Sequence, residues 1–325
     1  MAIGLASDFQ IYDDQLNGGM VETLVQQTAA FNAASRGGIR LITNRLRGNY
    51  EYESFFQNIS SLVTRRDTTS VAAATDLALP QDEHISVKIN RKVGPVAQTL
   101  DAFRKIGRGA NEQSLSFLVG TMIAKAMQVD QLDNAIRAAV ATIGAQSTLI
   151  HNVGSTLSTS DLVDGLSKMG DMASRVVVWV MHSATYYDLV KEQISANIDG
   201  VANFNVATAT PITLNRPVLV TDSAALTATG SPDDPYYILG LVADGVTVED
   251  SEEELMHAEI VTGLENLVVR LQGEFAYNLG VKGAKWDVSN GGANPTNAAV
   301  ATTTNWDKVA ADVKDMCGVR IDAYS

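Results

Sequence analysis

One run of helical periodicity, from Asn111 to Ile143, constrains the fold of this 325-residue chain more than any other feature. Apolar residues recur three and four positions apart along it, and Gly144 supplies a stop signal. They are Leu115, Leu118, Val119, Met122, Ile123, Ala126, Val129, Leu132, Ile136, Val140 and Ile143. At 1.5 Å per residue the predicted helix is about 45–50 Å long. Such a rod is longer than most globular helices.

A projecting hairpin is predicted before this helix. Residues 59–91 are rich in Thr, Ser and Ala, contain the loop-like run LALPQDEH, and end in the alternating run ISVKINRKV. This pattern predicts two long strands with a loose tip. The hairpin has too few apolar residues for a core of its own, so we expect it to lie on another body.

The remaining segments predict a mixture of helices and strands. Residues 18–38 form an amphipathic helix that stops at Gly37-Gly38. Further along, SDLVDGLSKM is a helix, RVVVWVM a short buried strand, SATYYDLVKEQI a helix, NRPVLVTDS a strand into a turn, DPYYILGLVADGVTVED a strand pair, and residues 265–288 a long strand. The following SNGGANPTNAAVATTTN resembles a linker. The fold class is therefore α+β.

Charge is distributed unevenly. The net charge of −13 combines +1 over residues 1–110 with −14 over residues 111–325. This acidic excess argues against a nucleic-acid groove. Between Glu22 and Glu51 the only charged residues are Arg36, Arg40, Arg45 and Arg47. This basic arm is either solvated or lies on acidic surface, of its own subunit or of a neighbour.

We find no catalytic constellation. The adjacent His182-Ser183 pair lacks a GxSxG frame, and neighbouring side chains point in different directions. We interpret His182 as structural, with Ser183 as the helix cap and Asp188 facing solvent. The IGRGANE run (106–112) has no third glycine and no P-loop lysine, so it predicts a hinge rather than a nucleotide site. No catalytic or cofactor-binding residue is assigned.

The sequence also predicts no metal, disulfide or membrane span. The four histidines, at 84, 151, 182 and 257, lie in no metal-binding spacing, and Cys317 is the only cysteine. The acidic run 249–254 lacks the spacing of a calcium loop. No apolar run approaches the roughly 20 residues of a membrane span, and the N-terminus has no secretory signal pattern.

Taken in order, these parts resemble the major capsid proteins of tailed bacteriophages with the Hong Kong 97 fold. The resemblance covers residues 55–288 and rests on the order of elements. It is carried by the hairpin, the long helix, the strand and "MHSATYYDLVKEQ" helix, and the runs "NRPVLVTDS", "YYILG" and "GVTVED".

The resemblance implies a division of the chain. It gives an N-terminal arm (1–50), an extended loop (51–96), a peripheral domain with the long spine helix (97–150), a mixed α/β axial domain (151–257), a return strand to the peripheral domain (258–290) and a C-terminal extension (291–325).

It also implies a function. We expect a structural coat protein that assembles as hexamers and pentamers into the icosahedral shell around the phage double-stranded DNA, in the host cytoplasm, and then resides in the virion. The expected partners are itself, a separate scaffold protein, a portal and a decoration protein, with packaged DNA contacted without sequence specificity. The alternatives are an encapsulin-like compartment shell, a surface-array or tail protein, and, last, a soluble enzyme.

Contacts between subunits are expected at basic residues of the arm and the hairpin, because the rest of each neighbour is acidic. The candidates are Arg36, Arg40, Arg45, Arg47, Arg65, Arg66, Lys88 and Arg91.

Overall fold

The computed structural model describes residues 6–43, 48–57, 62–73, 76–99, 112–198, 213–228, 234–251 and 255–325. The helices in this part of the chain are α1 (Ala6–Ala34), α2 (Glu112–Gly144), α3 (Thr159–Ser167), α4 (Ser183–Ile198), α5 (Val288–Gly291) and α6 (Asn297–Val300). The strands are β1 (Ile39–Thr43), β2 (Tyr50–Phe56), β3 (Gln81–Thr99), β4 (Ile150–Thr156), β5 (Val176–Met181), β6 (Val218–Val220), β7 (Tyr236–Val242), β8 (Val246–Asp250), β9 (Leu255–Val261), β10 (Val268–Val281), β11 (Ala284–Trp286), β12 (Trp306–Lys308) and β13 (Gly318–Tyr324).

The larger sheet has six strands and is built around β10. Its order is β1-β8-β10-β3-β2, and β9 pairs with the part of β10 that β8 leaves free. The 19-residue β3 pairs with β10 along one edge and with β2 along the other. The predicted hairpin is therefore continuous with the sheet. Its second strand is part of the core, since Val87 and Ile89 are fully buried.

The smaller sheet has five strands in the order β4-β13-β7-β5-β6. β13 lies between β4, to which it is parallel, and β7, to which it is antiparallel. Residues that were expected to form a C-terminal extension thus occupy an interior position in a sheet. The short strand at 176–181 is confirmed, with Trp179, Val180 and Met181 fully buried.

The strands of the 234–250 segment do not pair with each other. β7 belongs to the five-stranded sheet, whereas β8 pairs with β1 and β10 in the six-stranded sheet. The predicted strand pair is therefore wrong, because the turn at Asp244 and Gly245 passes the chain from one sheet to the other. The predicted linker at 289–305 contains the short helices α5 and α6, whose first turns are capped by the side chains of Asp287 and Thr296.

The long helix predicted over 111–143 is confirmed as α2, which spans 33 residues. Its buried face is rich in alanine, which lets neighbouring elements approach its backbone closely; the buried apolar residues are Ala124, Met127, Ala135, Ile136, Ala138, Ala139, Ala141 and Ile143. Three residues of the predicted stripe, Met122, Ala126 and Val129, are instead exposed. The helix at 18–38 is confirmed as part of α1, which packs along α2. None of the described helices is both long and apolar enough to cross a bilayer.

A buried polar network joins the middle of α2 to the six-stranded sheet. The hydroxyl of Tyr277 donates to Asp130 Oδ2 at 2.9 Å and accepts from Asn134 Nδ2 at 2.9 Å. Arg91 forms an ion pair with the same Asp130 oxygen at 2.8 Å and also donates to Asn297. Burial raises the pKa of Tyr277 well above its ordinary value, so the phenol stays protonated and can donate.

Replacing Tyr277 with Phe tests this network. The Tyr277→Phe variant should lose about 1–3 kcal/mol of unfolding free energy, because the change leaves the part-buried carboxylate of Asp130 and the buried amide of Asn134 with fewer partners. Urea unfolding of unassembled subunits, followed by circular dichroism, measures the loss. The matched control is Tyr187→Phe, since Tyr187 is 61% exposed. Equal midpoints for the two variants would contradict the assigned role.

Candidate intersubunit surfaces

The hairpin formed by β2 and β3 carries the most exposed segment of the described chain. The strands pair from Tyr50 opposite Val87 to Phe56 opposite Gln81. Beyond them, every described residue of 62–73 and 76–80 is exposed. Several of the exposed side chains are apolar, and Val63 is 93% exposed. Other large apolar side chains that are exposed on the hairpin are Tyr52, Phe55, Phe56, Leu62, Val71, Leu77 and Leu79.

The loop end of the paired strands is fixed to its own subunit. Gln57 Nε2 donates to the carbonyl oxygen of Val309 at 2.9 Å, and Lys285 Nζ forms an ion pair with Asp82 Oδ1 at 3.2 Å. A cavity of about 220 Å³ lies beside these contacts, lined by Phe55, Phe56, His84 and residues 309–311. The hairpin is thus held where its paired strands end, while the described residues of its outer segment are all exposed.

The eight predicted contact residues do not form one site. Arg65 and Arg66 lie on the exposed outer segment, and no ion pair to either is found among the described residues. Arg36 is exposed just after α1, and Arg40 on β1 forms a half-exposed ion pair with Asp244 at 3.2 Å. Arg45 and Arg47 lie outside the described residues.

The other two residues interact inside the subunit. Lys88 is only 8% exposed, lies opposite Asn278 on β10, and makes its polar contacts within the chain. Nearby, Asn278 Nδ2 donates to Glu51 at 3.0 Å and to Ser86 at 2.6 Å. Arg91 belongs to the Asp130 network. The alternation of β3 predicts which residues share a face, but it does not reveal that both faces are covered here.

The matching family model is described as "Gp13-like: Major capsid protein 13-like", and it matches residues 8–320. The chain belongs to this major capsid protein family.

Solved structures agree with the family in fold. A Microbacterium phage Oxtober96 chain is 14% identical with a TM-score of 0.55, covering 89% of this chain and 90% of that one. A chain of the cyanophage Pam1 capsid asymmetric unit is 10% identical with a TM-score of 0.51, covering 75% and 84%. A chain from the head structure of Helicobacter pylori bacteriophage KHP40 is 8% identical with a TM-score of 0.50, covering 88% and 87%. No curated protein matches the chain.

These findings confirm the Hong Kong 97-type fold and the α+β class. The capsid protein is a structural coat protein, a component of the virion shell. Nothing in the comparisons favours the encapsulin-like alternative.

In this capsid protein the His182-Ser183 pair begins a helix. α4 starts at Ser183, and the backbone N–H of Ala184 donates to His182 Nδ1 at 3.2 Å. The other ring nitrogen, Nε2, faces Asp222 Oδ1 at 3.7 Å. Two expectations were wrong: His182 rather than Ser183 caps the helix, and Asp188 is buried, where it accepts from Lys191 at 2.8 Å and from Ser325 at 2.7 Å.

The capping role of His182 can be tested by substitution. His182→Ala should lower the unfolding free energy by about 1 kcal/mol, since it removes a side-chain acceptor at a helix N-terminus. Ser183→Ala should stay within about 0.5 kcal/mol of the original protein. Thermal or urea unfolding of the two variants in parallel measures both. A larger loss of unfolding free energy for Ser183→Ala than for His182→Ala would mean that Ser183 caps the helix.

Proposed function

We propose that this coat protein assembles as hexamers and pentamers into an icosahedral shell around packaged double-stranded DNA, and that its hairpin binds an adjacent copy. The main support for this proposal is the exposure of the outer hairpin segment, residues 62–80, in which every described residue is exposed. Isolated apolar side chains on a surface are ordinary, but several exposed together on one loop, as in the described part of 62–80, are typical of an interaction site. A second copy of the chain is the proposed occupant.

Charge supports the same partner. Arg65 and Arg66 lie on this segment, whereas residues 111–325 of every copy carry a net charge of −14. One exposed pair contributes only about 0–1 kcal/mol, but in a closed shell the contact is repeated at every subunit. Arg36, Arg40, Arg45 and Arg47 stay predicted contacts of the arm. Lys88 and Arg91 are not included, because both are largely buried among partners in their own subunit, whereas Arg40 is half-exposed.

The two sheets support a division into domains. We propose a peripheral domain built from the six-stranded sheet and α2, and an axial domain built from the five-stranded sheet. The arm (1–50) and the extended loop (51–96) keep the proposed ranges. Compared with the division expected from sequence, β8 and β9 would join the peripheral domain and β13 the axial domain, following the sheet order.

The finer partners follow from the family. We propose assembly in the host cytoplasm with a scaffold protein and a portal, with a decoration protein on the finished shell and no catalytic step by this chain. The acidic excess suits a wall that does not hold DNA tightly, because phosphate contacts need Lys and Arg.

Deleting the outer segment tests the hairpin contact. Replacing residues 62–79 with a short Gly-Ser turn keeps both paired strands and their buried residues, so the subunit should fold with near-native circular dichroism. It should form no stable shells, measured by sedimentation and electron microscopy of protein expressed with its scaffold. Shells of normal stability from this variant would contradict the proposed contact.

Charge reversal separates the contribution of the two arginines. Arg65→Glu and Arg66→Glu together should weaken assembly and alter its salt dependence, because screening acts on exposed charge pairs. The matched control reverses two exposed lysines, Lys125→Glu and Lys168→Glu, for the same change in net charge. If the control impairs assembly as much as the arginine variant, net charge rather than the hairpin is responsible.

A further inference from the structure

Three side chains with metal-binding chemistry lie together at the edge of the five-stranded sheet. His151 is the second residue of β4, which is an edge strand, and α3 follows β4 after two intervening residues and packs beside it. Asp161 and Asp164 are three positions apart on α3 and therefore share a face. One ring nitrogen of His151 and one oxygen of each carboxylate all lie within 4.8 Å of one another.

Asp161 is held in a fixed orientation by the turn before α3. Its Oδ2 accepts from the backbone N–H of Ser158 at 2.8 Å and from the Ser158 hydroxyl at 2.5 Å. The other oxygen, Oδ1, lies 3.8 Å from His151 Nε2, which is too long for a hydrogen bond. Carboxylates that bind metals are commonly oriented by hydrogen bonds of this kind.

The helix cap does not explain why Asp164 lies in this cluster. Its carboxylate is exposed, and within the described part of the chain no hydrogen bond or ion pair to it is found. It nevertheless lies beside the half-buried His151 and Asp161 rather than away from them. Helix capping accounts for one carboxylate of the pair, and it gives no reason for the second.

We propose that His151, Asp161 and Asp164 bind one zinc ion. An imidazole nitrogen with two carboxylate oxygens suits zinc and its first-row neighbours, whereas Ca²⁺ and Mg²⁺ take oxygen ligands. In a tetrahedral site with bonds of about 2.0–2.1 Å, adjacent ligand atoms lie about 3.3–3.4 Å apart. Rotation of the exposed Asp164 side chain and a small shift of His151 close the remaining gap. The fourth position faces solvent and takes water.

Such an ion would join the edge strand to the helix that follows it. A ligand that binds only the folded state stabilises it by RT ln(1 + [L]/Kd), so the gain rises with the logarithm of ligand concentration once the site is mostly filled. Zinc would therefore fasten the β4 edge of the sheet, independently of the hairpin and of whether shells have formed.

Calorimetric titration of the unassembled full-length subunit tests the site. Zinc chloride should bind at one ion per chain and raise the melting temperature, while magnesium and calcium chloride should give neither effect. Asp164→Asn and His151→Gln should each weaken zinc affinity roughly tenfold or more. The matched control is Asp307→Asn, another exposed aspartate, which should bind zinc like the original protein.

Each alternative outcome is decisive. Unchanged zinc affinity in both variants would place any bound ion elsewhere and overturn the proposal, as would the absence of zinc binding by the original protein. Equally tight calcium binding would also overturn it, because the imidazole would then not be a ligand. Asp164 is on the surface of α3, so Asp164→Asn retains the fold and its result can be interpreted directly.

Discussion

Asp130 on α2 contacts Arg91 and Tyr277 of the six-stranded sheet. These contacts fix the position of the helix along the sheet. A helix of 33 residues lying on a sheet could slide or turn by one residue while keeping most of its apolar contacts. A carboxylate that accepts from an arginine and a buried phenol cannot follow such a shift without losing both. Apolar packing thus attracts the helix to the sheet, and this polar network determines where along the sheet the helix lies.

The same stretch of helix is hydrogen-bonded to three other parts of the subunit. Gln128 donates to Thr28 of α1, Gln131 donates to Asp250 of β8, and Asp133 accepts from Ser223 beside the five-stranded sheet. The sheets themselves meet where the chain turns at Gly245. A side chain there would approach the carbonyl oxygens of Cys317, Val242 and Gly38 to about 3 Å, so this crossing requires glycine. The subunit is therefore joined at its centre, and the hairpin extends from a rigid frame.

Sequence patterns correctly predicted the elements that depend on residues close together in the chain. The period of α2, the apolar run at 176–181 and the polar composition of the hairpin tip all gave correct elements, since each depends on residues close in sequence. The missed features depend on distant pairings. The position of β13 between β4 and β7, the burial of Lys88, and the grouping of His151 with Asp161 and Asp164 arise only once the chain has folded back. His182 was misread for a smaller reason: histidine is rarely considered as a helix cap.

The interior position of β13 sets the order of events during synthesis. Arg320 pairs with Ile150, so β4 is made 170 residues before its only partner in the sheet. At roughly 5–20 residues per second, a ribosome needs about 10–30 s to cover that distance. Throughout this interval the five-stranded sheet is incomplete, although β5, β6 and β7 are made in the course of it. The five-stranded sheet can be completed only once residues 318–324 have been made and have paired with β4 and β7.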